Sequence, residues 1–173
     1  MTLLDYIEKQ AAENAAFHVE SMTHVSEWAK RVLSILLLFG GAVFAFVVSV
    51  LEDGLGDDVD ASWLVGSVAL TIWLFALVGV LLAKAINFAD AKPVTNEPQN
   101  LRDGFDNISA EGSAEPFDDL RWNQLGRLQE DIGFNVERNR ERAKWINRVV
   151  WASLFSPAVF GVAWVVAWAL AAV

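Results

Sequence analysis

The sequence predicts an all-α integral membrane protein with three transmembrane helices, two of which continue into long cytoplasmic amphipathic helices. Three observations carry that prediction. Hydrophobic residues make up 54% of the 173 while 20% are charged, so the apolar residues must be gathered into blocks rather than mixed along the chain. Three blocks free of Asp, Glu, Lys, Arg and His stand out, at 32–51, 61–83 and 149–173, with 20, 23 and 25 residues. At about 1.5 Å of rise per helical residue, roughly 20 residues cross a hydrocarbon core about 30 Å thick, so each block is long enough to span. The third observation is periodicity: apolar residues recur every three or four positions in the segments that lead into the first and third blocks.

Residues 1–31 open on a capping-box-like Thr2-Leu-Leu-Asp5 and carry Leu4, Ile7, Ala11, Ala15, His18, Met22, Val25 and Ala29 along one stripe. Nothing between Ala29 and Val32 breaks that helix, so it is expected to run into the first span as one rod from Leu3 to Leu51, about 73 Å long. The connection 52–60 holds five acids and no base, the second span is 61–83, and 84–115 is a linker. Within the linker Pro93, Pro98, Gly104, Gly112 and four Asn interrupt any sustained apolar period, so it is expected to be partly disordered. A second amphipathic helix, 116–148, starts at Pro116 with Asp118 and Asp119 against the helix dipole. It places Leu120, Leu125, Leu128, Ile132, Val136, Ala143 and Ile146 at roughly helical spacing. It leads without a breaker into the third span, 149–173.

Orientation follows from the cations. Lys30 and Arg31 abut the first span, Lys84 closes the second, and Arg142, Lys144 and Arg148 abut the third, so the positive-inside rule puts the N-terminus in the cytoplasm and the C-terminus in the periplasm. Trp28, Trp145 and Trp151 then fall near the inner interface and Trp63 and Trp168 near the outer one, as amphipathic indoles prefer. Residues 1–30 begin with Asp5 and Glu8 and no early apolar core, so no cleavable signal peptide is expected.

Composition also excludes functions. A net charge of −9 repels nucleic acid, and the absence of cysteine removes disulfides, thiolate nucleophiles and thiolate-bound metals. No nucleophile stands next to a base and no glycine-rich phosphate loop occurs, so neither an enzyme nor a cofactor is expected. Glu20, His24 and Glu27 share a helix face, but a metal needs three or four well-placed ligands, and His18 on the apolar stripe reads as an interface residue; no metal is expected. Spans without ionisable groups argue against pumps and secondary transporters. Small residues offer close helix packing instead: Gly41 with Ala45, Gly126 with Gly133, and Ala163, Ala167 and Ala171. Pro157, with Gly161 beyond it, marks a hinge candidate in the third span.

Short length, amphipathic cytoplasmic helices fused to spans, and the basic-aromatic entry Arg142-Ala-Lys-Trp-Ile-Asn-Arg148 with Trp151 together resemble the small multi-pass inner-membrane effectors of bacterial antiphage defence systems. The resemblance lies in arrangement over most of the chain. It implies a homo-oligomer in the inner membrane that answers a cytoplasmic infection signal and perturbs membrane integrity. Because no sensor domain is evident, it also implies sensing through a soluble partner protein. Two other readings stay open, a non-conducting anchor or scaffold that recruits a soluble partner, and an immunity protein against a membrane-acting toxin. The uncharged spans suit each of them.

Overall fold

The computed structural model describes residues 3–53, 60–86 and 98–172. Every element among them is helical: α1 (Leu3–Asp53), α2 (Ala61–Leu81) extended by a π-helical turn (Leu82–Ile86), α3 (Pro98–Ala110), α4 (Pro116–Ser153) and α5 (Ser156–Ala171). Two helices are long and apolar enough to cross a membrane: α1, and α2 with its π-turn, with mean hydropathies of 2.6 and 2.4 over their most apolar stretches. The pair α4 and α5, bent by 41° at a short break, makes a third when counted as one span.

Local chemistry explains the boundaries. Asp60 caps α2 by accepting from the Ser62 amide at 3.0 Å. Gly112, at φ 84°, takes the left-handed conformation that closes a helix C-terminus, and its amide donates back to the Ser109 carbonyl at 3.2 Å. Ser113 then sets up α4, its hydroxyl accepting from the Glu115 amide at 3.1 Å and donating to the Asp119 carboxylate at 2.5 Å. Helix α3 lies inside the segment read as linker. Leu101, Phe105 and Ile108 recur at helical spacing but over only two turns and with Gly104 among them, while Pro98 in its first turn suits a helix start. The rest of that linker, 87–97, lies outside the described residues, as do Thr2 of the expected capping box, 54–59 of the acidic connection, and Val173.

The chain forms two compact units, Met1–His24 with Phe88–Glu141, and Val25–Asn87 with Arg142–Val173, and α1 and α4 contribute to both. In the first unit the early parts of α1 and α4 run parallel, since Arg121 bonds Asp5 and Glu8 while Asn139 bonds Ser21. A Cβ on Gly104 of α3 would sit 3.1 Å from Leu120, which brings α3 against the start of α4.

The second unit is an up-down-up bundle. Ala29 and Leu36 of α1, Leu74, Leu77, Val78 and Leu81 of α2, and Ile146 and Val149 of α4 form its apolar core. Phe44 meets Phe75 edge-on at 6.4 Å, and Trp63 meets Phe160 at 5.1 Å, so α2 is antiparallel to both neighbours. The bend falls where the sequence places proline. Pro157 has no N–H, and its ring clashes with the carbonyl four residues back, so α4 stops at Ser153. Leu154 and Phe155 instead donate to Trp151 and Ala152 three residues earlier, at 3.2 and 3.1 Å.

Candidate functional site

The faces that meet in the first unit follow a strict three-four alternation. On α1, Leu4, Glu8, Ala11, Ala15, His18 and Met22 are all buried or half-buried, so the apolar stripe of the sequence is the face in use. On α4 the corresponding run is Arg121, Leu125, Leu128, Ile132, Asn135 and Asn139. Here the sequence reading is corrected at Val136, which is exposed, while Asn135 is 2% exposed. Hydropathy favours valine, but a period of 3.5 residues from Leu125 and Leu128 lands on asparagine.

Charge clips one end of this helix pair. The Arg121 guanidinium donates to the Glu8 carboxylate at 2.6 and 2.7 Å, to Asp5 at 2.7 Å and to Asp118 at 3.4 Å. The hydrogen bond from Arg121 holds the Glu8 carboxyl below its ordinary range, and the bonds to Glu8 and Asp5 push the guanidinium up. The pairing of Arg121 with Asp5 and Glu8 was not read from the sequence, because these partners lie more than a hundred positions apart.

Beyond the clip, the helices leave a cavity of about 640 Å³. From α1 it is lined by Tyr6, Ile7, Gln10, Ala11, Asn14 and His18, and from α4 chiefly by Trp122, Leu125, Gln129 and Ile132. Gly126 and Gly133 lie on its wall, and a Cβ on either would meet nothing within 4 Å. Within one chain these two glycines therefore mark open space rather than the close backbone approach expected of them.

In the second unit, Lys30, Arg31, Lys84, Lys144 and Arg148 are exposed toward one end of the bundle, with the Arg148 guanidinium 4.6 Å from the Trp145 ring centroid. Arg142 departs from the expected interfacial role. It is 8% exposed, and its Nε donates to the Ala85 carbonyl at 2.8 Å, in the π-turn that ends α2. Burial pulls its guanidinium down from the usual arginine range.

Small-residue packing is present but shifted. Gly41 meets nothing within 4 Å and Ala45 is exposed, whereas a Cβ on Gly40 would lie 3.5 Å from Leu74. Ala163 and Ala167 are half-buried on the α5 face that also carries Phe160 and Trp164, and Ala171 is exposed. The tightest approach was missed by the sequence reading: a Cβ on Gly66 would stand 2.9 Å from the Phe160 ring. Pro157 sits in the first turn of α5, and Gly161, with nothing within 4 Å of a Cβ, follows one turn later. Glu20 and His24 approach to 3.6 Å on the exposed side of α1. Among the described residues, no group of three His, Asp or Glu could hold a metal.

No protein-family model, curated protein or solved structure matches the chain.

Proposed function

We propose that the chain is an oligomeric inner-membrane effector that takes a cytoplasmic signal and perturbs membrane integrity, in the manner of the antiphage effectors its arrangement resembles. The observation that carries this reading is how little the candidate spans bury each other. Only 17% of the most apolar stretch of α1 and 39% of that of α2 is covered within the chain. Leu38 and Leu170 are 72% and 74% exposed, so these faces need lipid or further copies of the chain. In the topology we propose, the basic end of the bundle faces the cytoplasm and α5 ends in the periplasm. The helices that frame the 640 Å³ cavity, α1 and α4, are also helices that supply span residues, which gives a signal a continuous covalent route.

The test is potassium and dye leakage from bacteria expressing the chain, with and without phage infection. Leakage that follows infection supports the effector. Intact membranes together with stable co-purification of a soluble protein replace it with the anchor reading. That second reading has its own observation, because the described core of the bundle is packed with Leu, Val and Ile, and the blocks 32–51 and 61–83 hold no ionisable side chain.

A further inference from the structure

Beyond the membrane reading, we propose that the cavity between α1 and α4 is a binding site for one uncharged, planar heteroaromatic molecule. Size is the first argument. About 640 Å³ falls within the range of roughly 300–1,000 Å³ typical of small-molecule sites, and the cavity is a solvent-open groove between two helices held in register by Arg121 at one end and the Asn139–Ser21 bond at the other.

The lining supplies the second argument. Tyr6 and Trp122 offer two aromatic faces from opposite helices, each about half exposed and so available to a flat ring. Gln10, Asn14 and Gln129 add three carboxamides, each with donors and an acceptor, which suit a ring edge carrying both carbonyl and N–H groups. Gly126 and Gly133 keep the α4 wall flat, and nothing among the described residues lies within 4 Å of where a Cβ would stand there.

Charge sets the ligand class. Among the described residues no Asp, Glu, Lys or Arg lines this cavity; of the nearby charges, Glu8 and Arg121 line a separate pocket of about 200 Å³ and bond each other, and Glu13 accepts from the Gln10 carboxamide at 3.0 Å. A phosphate or carboxylate in the larger cavity would lose water without gaining a countercharge, so neutral rings are selected over their phosphorylated forms.

The experiment uses the full chain in lipid nanodiscs, with empty nanodiscs as the blank, and two matched pairs of probes in equilibrium dialysis: riboflavin against flavin mononucleotide, and adenosine against adenosine monophosphate. At least one neutral member should bind with micromolar Kd, and its phosphorylated partner at least tenfold more weakly. Gly126→Leu and Gly133→Leu fill the cavity from a wall that has room for them and should each weaken the neutral probe at least tenfold at unchanged helix content. Trp122→Ala should do the same by removing a stacking face. Gly161→Leu, on α5, should leave binding unchanged. The proposal is overturned if neither neutral probe binds below millimolar concentration, if the phosphorylated forms bind as well, or if the glycine variants leave binding intact. It is equally overturned if Gly126→Leu dissociates an oligomer, since the cavity is then the seat of a neighbouring copy.

Discussion

The Arg142 Nε donates to the Ala85 carbonyl at 2.8 Å, and this bond fastens α4 to the π-turn that ends α2. A π-turn shifts the helical hydrogen-bond ladder by one residue, so its carbonyls are freed for other donors. At 8% exposure Arg142 meets that need from inside the bundle rather than from the interface. Arg142→Met keeps the aliphatic bulk and removes the donor, leaving a buried carbonyl without it. Thermal unfolding followed by circular dichroism in mild detergent should show a loss of about 1–3 kcal/mol, against less than about 0.5 kcal/mol for the exposed Lys144→Met. Equal losses for the two variants would mean that the bond contributes nothing particular.

The clip at the other end of α4 predicts a pH dependence. Arg121 holds the Glu8 carboxyl below its ordinary 4.5, so the folded state binds a proton less readily than the unfolded chain. The resulting stabilisation is present above pH 4.5 and is lost as the pH falls through the lowered value. Solvent reaches much of this cluster and keeps the effect modest. Hydrogen exchange over 4–12 should speed up between pH 6 and pH 3, after correction for intrinsic rates, and Glu8→Gln should abolish most of that change. An unchanged pH response in Glu8→Gln would assign it to other carboxylates.

Elements built on one dominant signal were legible in the sequence. The stripe of Leu4, Ile7, Ala11, Ala15, His18 and Met22 is the buried face of α1, because every position on it is apolar or amphipathic. The matching face of α4 was legible only in part. Asn135 is buried on it and Asn139 bonds Ser21, and a reading by hydropathy slides from these polar positions to Val136 instead. Helix α3 escaped because Leu101, Phe105 and Ile108 give only two turns of period, set among Pro98, Gly104 and Gly112. The cavity escaped for a different reason: it is made by what Gly126 and Gly133 lack, and open space has no pattern in one strand of letters. The proline bend was legible because a missing N–H acts locally, whatever packs around it.

Gly66 predicts a cost where α2 and α5 touch. A Cβ there would stand 2.9 Å from the Phe160 ring, which is itself packed against Trp63 at 5.1 Å. The ring has little room to retreat. Gly66→Leu should therefore destabilise the bundle by about 1–3 kcal/mol through overpacking. Adding Phe160→Ala should recover part of the loss. Gly161→Leu, with open space around it, should cost nothing in the same detergent unfolding assay. A harmless Gly66→Leu would show that α2 and α5 slide freely.

Topology is tested by reporter fusions. Fusions within 89–99 should report the cytoplasm and a fusion after Val173 the periplasm, because the exposed cations Lys30, Arg31, Lys84, Lys144 and Arg148 gather at one end of the bundle. Two cytoplasmic reports would mean that α4 and α5 do not cross together.

Pro157 carries the last prediction. Helix α4 runs unbroken from Pro116 to Ser153, and Leu154 and Phe155 then interrupt its hydrogen-bond ladder. In the proposed mechanism a rotation of α4 would be absorbed or redirected at the 41° bend there. Pro157→Ala restores an N–H that can reach the Ser153 carbonyl and relieves the ring clash, so the helix should straighten. If the bend is a functional hinge, the variant inserts and assembles normally but changes infection-linked leakage. If the bend only fits α5 against α2, then Phe160 and Trp164 lose their register on Trp63, and assembly and leakage fall together. Crosslinking in native membranes and potassium efflux, measured in the same cells, separate these outcomes. A variant unchanged in both would remove the hinge from the mechanism and leave α4 without a demonstrated link to α5.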